Sequence, residues 1–177
     1  MRAFFLTIFL SLYFSVSAQV DDFQQDIINY LNVNGTVQQY GVAYEELIDV
    51  LKERVAIPDT PESFWYKLKE GKEESIDELI FILTFAYRKH FTQDEIGEIL
   101  EFYETEAAQK STSKSLKLTE EEDKIIEDFY KSDVAIKIES IQDELSKDIT
   151  LIYNDWSREF FAEKLGAIVK AGYSKKM

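Results

Sequence analysis

The chain contains no cysteine and a single histidine, His90, and both scarcities restrict its chemistry. Without cysteine there are no disulfides, no thiol catalysis, no iron–sulfur clusters and no zinc sites built from thiolates. One imidazole rules out metal sites that need several histidines, although a Ser-His-Asp triad is not excluded by count. His90 falls in the last turn of a predicted helix, where an imidazole meets the negative end of the helix dipole. We therefore predict a helix-end role for it rather than a catalytic one.

Glycine, proline and basic residues are also scarce. Six Gly and two Pro in 177 residues, beside a hydrophobic content of 45%, favour long helices with few turns and are not typical of a disordered chain. The 20 basic side chains are outnumbered by 34 acidic ones, which leaves a formal charge of -14. Nucleic acids and anionic lipid surfaces are bound by clustered Lys and Arg, so neither is expected as a partner.

The longest hydrophobic run lies at the N-terminus. Residues 1–18 combine a basic start at Arg2, the apolar run FFLTIFLSLYFSV and a small-residue end at Ala18. This pattern is typical of a secretory signal peptide cleaved after Ala18, and the run is shorter than the about 20 residues of a membrane-spanning helix. A lipid anchor at the signal would need a cysteine. We predict a signal peptide at 1–18, a single helical domain at 19–177, a periplasmic or secreted location and no stable membrane insertion after cleavage.

The sequence also contains a motif that occurs twice. Residues 91–110 read FTQDEIGEILEFYETEAAQK, and residues 118–137 read LTEEEDKIIEDFYKSDVAIK. At an offset of 27 residues the identical pairs are Thr92/Thr119, Glu95/Glu122, Ile99/Ile126, Phe102/Phe129, Tyr103/Tyr130, Ala108/Ala135 and Lys110/Lys137. Identities at matching spacing predict an internal helical repeat.

Both copies begin with the signal of a helix start. Thr92 with Glu95, and Thr119 with Glu122, are spaced to form capping boxes, in which the hydroxyl accepts a backbone N–H and the carboxylate reaches back to the cap N–H. Further along each copy, Ile, Phe and Tyr recur at helical spacing. We expect that apolar face to be buried in both copies.

At these residues the chain resembles the bacterial domain-of-unknown-function family 2059, whose motif runs aromatic-Thr-x-x-Glu and then Phe-Tyr-x-Ser-Pro-x-Gly-x-Lys. The matching positions are Phe91, Thr92, Glu95, Phe102, Tyr103 and Lys110 in the first copy, with Thr105 where the family has Ser, and Thr119, Glu122, Phe129, Tyr130, Ser132 and Lys137 in the second. The resemblance extends over about residues 23–165. It implies an extracytoplasmic helical protein and no established activity.

Both copies depart from the family motif at its Pro and Gly positions. Glu106 and Ala108 occupy them in the first copy, and Asp133 and Ala135 in the second. Pro and Gly would break a helix, whereas Ala and Asp allow it to run on. The sequence leaves open whether the second copy is continuous with the helix that follows it.

Three helices are predicted between residue 22 and Gly71. The first covers residues 22–33, with acidic side chains in its first turn. Thr36, with Gln39 at the capping-box position, is predicted to open the second. A short third helix begins with Pro61 at its first position and ends at Gly71.

Two longer helices are also predicted, one before the first motif copy and one from Val134 on. Ser75 and Glu78 have capping-box spacing and precede LIFILTFAY at residues 79–87, which is apolar almost all round. Such a helix must be covered by neighbours on most sides, so we predict it to be the central helix of a bundle. From Val134 to Phe160 apolar residues recur at steps of three and four, which predicts a long amphipathic C-terminal helix.

Carboxylates are the only abundant groups with catalytic potential, since no EF-hand loop, phosphate-binding glycine loop or serine nucleophile motif is present. Acidic residues occur at 120–123 and at Glu139, Asp143, Glu144 and Asp148. A facing pair would suit a carboxylate-dependent hydrolase of an envelope glycan or a divalent ion. Acids at a helix start and opposite an apolar stripe more commonly form a solvated face.

The Phe-Tyr pairs and the two lysines at equivalent positions of the copies define the candidate site. Tyr103 and Tyr130, with Lys110 and Lys137, are predicted to line a shared ligand or partner groove between the copies. The competing interpretation is that the rings fill the seam between two helices and the lysines cover apolar neighbours. Repeated positions more often build a scaffold than a site.

We therefore predict an all-α protein, an antiparallel helical bundle of six to seven helices with a long C-terminal helix. The predicted function is a non-enzymatic binding or protein-interaction module of the cell envelope, with an envelope protein or a small apolar ligand as partner, no cofactor and no metal. The alternatives are the glycan hydrolase and a structural protein that self-associates through its long helix. A monomer is expected.

Overall fold

The computed structural model describes residues 20–112 and 117–175, in which the chain forms eight helices. They are α1 Asp22–Val33, α2 Thr36–Arg54, α3 Glu62–Leu68, α4 Lys72–His90, α5 Gln93–Glu104, α6 Glu106–Thr112, α7 Glu120–Tyr130 and α8 Asp133–Lys170. The predicted signal peptide at 1–18 lies outside the described residues. None of the helices described is both long enough and apolar enough to cross a membrane.

The all-α prediction is confirmed, as is the long C-terminal helix, since α8 has 38 residues. A single residue, Thr105, separates α5 from α6. Counting that pair as one kinked helix brings the number to seven, the upper value predicted. Helix α6 ends at Thr112, two residues beyond the last position of the first motif copy.

Helix α4 lies at the centre of the bundle and packs against α1, α2 and α8. Near its start, Ser75 accepts a hydrogen bond from the Trp156 indole N–H at 3.2 Å. At its end, His90 Nε2 lies 2.7 Å from Asp148, which comes earlier in α8. The two helices therefore run antiparallel. The same holds for α1, whose Gln24 donates to Thr84 at 2.9 Å while Asp21 pairs with Arg88.

One pair of helices departs from the antiparallel pattern. Near the start of α1, Asp26 accepts from the Gln93 amide at 3.0 Å, and at its end the Val33 carbonyl accepts from Gln109 at 2.9 Å. Because these contacts follow one another in the same order along both elements, α1 runs parallel to α5 and α6. This arrangement is possible because α4, which lies between α1 and α5 in the chain, runs in the opposite direction.

The capping boxes predicted at Thr92 and Thr119 are both present, with hydroxyl and carboxylate each making its bond. Those predicted at Thr36 and Ser75 are wrong. Both helices begin after a glycine with a left-handed backbone, Gly35 at φ 89° and Gly71 at φ 81°. These conformations suit glycine because it has no Cβ.

Two smaller expectations also change at these helix starts. Because Gly71 precedes α4, Ser75 lies inside that helix and is free to bond Trp156. Helix α3 ends at Leu68, before Gly71, and Pro61 is its N-cap rather than its first residue. Proline fits there because its ring fixes φ at about −65°, as at the −64° of Pro61, and because an N-cap residue donates no N–H to a bond within the helix.

Candidate functional site

Both motif copies fold as a helix, a break of one or two residues and a second helix. The break falls at Thr105 in the first copy and at Ser132 in the second, with ψ of 148° and 156°. Each hydroxyl then caps the next helix, since Thr105 Oγ1 accepts from Ala108 N at 3.1 Å and Ser132 Oγ accepts from Ala135 N at 3.3 Å. The inference that loss of Pro and Gly lets the helices run on is wrong. A hydroxyl N-cap suffices to break them, and α7 and α8 are separate.

The copies meet through their phenylalanines. The Phe102 and Phe129 rings are parallel, with an interplanar angle of 1° and centroids 3.7 Å apart. Phe102 is buried and Phe129 half-buried. The space between the copies is thus occupied by a stacked pair of rings at this point rather than by an open aromatic pocket.

Each motif copy provides a lysine that binds the capping-box glutamate of the other copy. Lys110 of the first copy lies 2.5 Å from Glu122 of the second, and Lys137 of the second lies 2.6 Å from Glu95 of the first. Each glutamate also accepts from the cap N–H of its own helix. The copies are therefore paired reciprocally, with equivalent residues making equivalent contacts, as in an interface with two-fold symmetry.

These pairs hold the glutamates in their charged form. The Lys110 hydrogen bond, with the cap N–H, lowers the pKa of Glu122. Burial would raise the pKa of Glu95, but Lys137 and the cap N–H outweigh it and the pKa is lowered. The lysine of each pair is already bound by a carboxylate of the opposite copy, so its charge is directed at the protein itself.

The two tyrosines of the predicted groove have different surroundings. Tyr103 is half-buried, with its ring 5.4 Å from Tyr30, which lies 5.6 Å from Tyr87. Burial among these phenols raises the pKa of Tyr30 to about 12 and also raises that of Tyr103. Tyr130 is 68% exposed and touches the phenylalanine stack at its edge. Tyr103 and Tyr130 thus flank the stack without forming a matched pair, and their role in ligand binding stays a prediction.

His90 lies in the last turn of α4, as predicted, and the sequence reasoning missed its partner. Asp148 bonds both His90 Nε2 and Lys89 Nζ at 2.7 Å. Lys89 first, and His90 second, lower the pKa of Asp148. The cluster ties the middle of α8 to the end of α4. Its residues are 58 positions apart, so only a signal of long-range pairing could have found it.

The carboxylates make no evident metal or acid–base site. Within residues 20–112 and 117–175, no three His, Asp or Glu side chains converge as metal ligands would. Where burial and partners shift the pKa of a carboxyl group, they lower it, and the groups are Asp21, Glu45, Glu95, Glu122 and Asp148. A general acid needs the opposite shift.

A surface that the sequence reasoning did not propose lies on α4. Phe81, Ile82 and Phe85 are exposed, Phe85 at 56%, and the two phenylalanine rings pack edge to face at 5.8 Å. Neighbouring helices were expected to cover most of α4. Helices α1, α2 and α8 do pack against it, but they leave this face exposed. We call these three residues the α4 patch. The sequence signal was available, because an all-round apolar helix has more apolar side chains than three neighbours can cover.

The fold and these contacts define the class of protein: an all-α bundle built on a central helix, with two reciprocally paired helical motifs. Residues 77–128 match the model of an uncharacterised family, "Uncharacterized protein conserved in bacteria (DUF2059)", which confirms the resemblance over that stretch. The match includes most of α4, the whole first copy and the start of the second. Comparison with curated proteins and with solved structures finds no match.

Proposed function

We propose that the chain is a non-enzymatic interaction module of the cell envelope, secreted or periplasmic, which binds a basic amphipathic helix of a protein partner on the α4 patch. The observation that carries this is the exposure of Phe81, Ile82 and Phe85 on the helix whose other faces build the core. Exposed apolar side chains that adjoin one another commonly mark interaction sites. The secretory pattern at residues 1–18 supports the location.

The charge around the patch favours a basic partner. Glu74, Asp77 and Glu78 precede the patch on α4 and are exposed. None of the three forms an ion pair within the described residues. The cations at the other end of α4 are engaged, Arg88 with Asp21 and Lys89 with Asp148. The charge available to a partner is therefore acidic, in line with the formal charge of -14.

A helical partner fits the spacing of the patch. Glu78, Phe81, Ile82 and Phe85 follow each other at steps of three, one and three along one face of α4. An amphipathic helix laid along that face would place apolar side chains on the patch and Lys or Arg one turn away, beside the glutamates. A small apolar ligand is less well supported, because such ligands bind in concave pockets and the patch lies on the convex side of a helix.

The hydrolase alternative has weaker support. A glycoside hydrolase needs one carboxyl group with a raised pKa facing a second carboxylate. Here the shifted carboxyl groups have lowered pKa values, and cations bind them. Glu139, Asp143 and Glu144, proposed from the sequence, are exposed on α8.

The test starts with a photo-cross-linking amino acid at position 85 in the full chain expressed with its leader, and at position 42 as the control. Val42 is 59% exposed on α2, so it matches Phe85 in exposure. We expect adducts specific to position 85, in which mass spectrometry locates a basic amphipathic segment. A peptide of that segment should bind the purified protein more weakly as salt rises.

Phe85→Ser should then weaken the peptide at least tenfold, and Val42→Ser should leave its affinity unchanged. Equal adducts at both positions, or a captured segment that is acidic, would overturn the proposal. Adducts only with a second copy of the chain would replace it with self-association.

A further inference from the structure

A second candidate site lies away from the α4 patch, in a cleft of about 430 Å³ between the α1–α2 turn and the junction of α5 with α6. Half of its eight lining residues carry a side-chain amide, namely Asn32, Asn34, Gln38 and Gln109, and the others include Glu104 and Thr112. Its volume lies within the range of about 300–1,000 Å³ that is typical of small-molecule sites. We call it the amide cleft.

Two of the amides are held in place by the backbone. Gln109 Nε2 donates to the Val33 carbonyl at 2.9 Å and to the Tyr103 carbonyl at 2.6 Å, which joins the two walls of the cleft. Both N–H groups of that amide are thereby used, and its oxygen is left as an acceptor. Asn34 Oδ1 accepts from Thr36 N at 2.9 Å, and the same side chain also hydrogen-bonds the Tyr30 phenol, so this amide is held in place by the protein itself.

The break in the first motif copy builds one wall. Glu104 is the last residue of α5, and the extended Thr105 turns the chain so that Gln109 of α6 reaches back toward α1. The second copy has the same break but places Lys131, Ile136 and Glu139 at the positions of Glu104, Gln109 and Thr112. The amide cleft is therefore particular to the first copy.

The chemistry of the lining selects a class of ligand. No Lys or Arg lines the cleft, so an anion has no counter-charge. Glu104 is the only carboxylate in the lining, whereas calcium sites in proteins commonly combine several carboxylates with carbonyl oxygens and water. Val33 is the only large apolar side chain in the lining, which disfavours an apolar ligand.

We propose that the amide cleft binds a neutral saccharide. A sugar hydroxyl both donates and accepts a hydrogen bond, and a side-chain amide offers one acceptor and one donor group at fixed geometry. Several amides with one carboxylate thus match a polyhydroxylated ring better than they match a charged or apolar molecule. The inference is independent of the protein partner proposed above, because the two sites lie on different residues.

The side-chain N–H₂ signals of the full chain in ¹⁵N-edited NMR spectra report on the cleft directly. The probes are glucose, N-acetylglucosamine and cellobiose, each titrated to about 50 mM, well above the millimolar dissociation constants of ligands with few contacts. At least one should cause saturable shifts of the Asn32, Gln38 and Gln109 amide signals. The exposed double variant Asn32→Ala/Gln38→Ala should weaken that binding at least fivefold.

Gln25→Ala serves as the matched control, since Gln25 and Asn29 form an exposed amide pair on α1 outside the cleft. Its affinity for the sugar should equal that of the wild type. Spermidine, a cationic amine, tests whether Glu104 alone governs the site. Shifts with spermidine but with none of the sugars would overturn the proposal, as would sugar shifts that persist unchanged in the double variant or no saturable shift at all.

Discussion

The two motif copies share their local structure and differ in their burial. Both have a capping box, a break at a hydroxyl residue and a phenylalanine in the seam. The first copy is covered by α1 and buries Ile96, Ile99 and Phe102, whereas α7 of the second buries no residue. Local signals thus set where each helix begins, but they do not decide whether a neighbouring helix covers it.

The covered face of α5 is identified by its contacts with α1. Gln93 bonds Asp26 and Tyr103 packs on Tyr30, so both lie toward α1. Ile96 and Leu100 fall between them at steps of three, four and three, and therefore lie on the same face. An apolar pair at its centre makes this face suitable for a buried contact.

The corresponding face of α7 carries charges at its centre. Asp123 and Glu127 occupy the positions of Ile96 and Leu100. Burying two carboxylates without partners would cost several kcal/mol, so this face remains in water. A capped helical motif that recurs in the sequence therefore does not recur in the core: the copies differ at two positions of this face, and the copy with apolar residues there is the one that is covered.

The sharpest test of this difference compares equivalent isoleucines. Ile99→Ala should lower the free energy of unfolding by about 2–4 kcal/mol, and Ile126→Ala by about 1 kcal/mol, because only the first removes atoms from a closed site. Ile99 is 1% exposed and Ile126 is half-buried. Urea unfolding of both variants at unchanged m-value measures the losses. Equal losses would contradict the asymmetry of the copies.

A smaller effect is expected at the breaks, where the copies are alike. Thr105→Ala and Ser132→Ala should each cost about 1 kcal/mol, because each removes the hydroxyl that caps the following helix. Helix content by circular dichroism should not fall, since alanine lets the helix continue. Thr105→Ser retains the cap and should preserve stability. A loss in Thr105→Ser as large as in Thr105→Ala would show that the hydroxyl is not the cause.

The smallest effect concerns the reciprocal ion pairs and depends on pH. The pKa of Glu95 and that of Glu122 are lowered in the folded chain from the ordinary 4.5. The pairs therefore contribute stability that is fully present above about pH 4.5 and is lost as the pH falls through the lowered values. Between pH 7 and pH 3, Glu95→Gln and Glu122→Gln should each lose less stability than the wild type.

The control for this prediction is Glu98→Gln, an exposed residue of α5 outside the seam. Its loss on acidification should follow that of the wild type. Because the two pairs are equivalent, the two seam variants should respond alike. A response in only one of them would mean that the pairing of the copies is not reciprocal in solution.

Sequence reasoning was most successful where the signal is local. The boxes at Thr92 and Thr119 were predicted because the two bonds of each box lie within four residues. The same rule failed at Ser75, because a preceding glycine started the helix one turn earlier. The breaks were not predicted, because the absence of Pro and Gly indicated a continuous helix, whereas the Thr105 hydroxyl caps a new one.

The candidate site residues show the limit of the same reasoning. Lys110 and Lys137 were singled out from their repeated spacing. Apart from Glu106, four residues before Lys110, the glutamates that bind them lie 12 and 42 residues away. Asp148, which joins α8 to α4, was interpreted either as part of a hydrolase or metal site or, with more weight, as part of a solvated face, and not as a partner of α4. A pattern within one helix does not identify a partner residue that lies in a distant segment of the chain.

By itself the sequence determined the class of fold, the two capping boxes of the motif and the long C-terminal helix, because capping and periodicity act over a few residues. Only the tertiary structure decided which copy is covered, which carboxylates bind the lysines, and which face of α4 stays exposed. Those outcomes depend on burial and on contacts between distant segments, and a side chain is buried only when another element arrives to cover it.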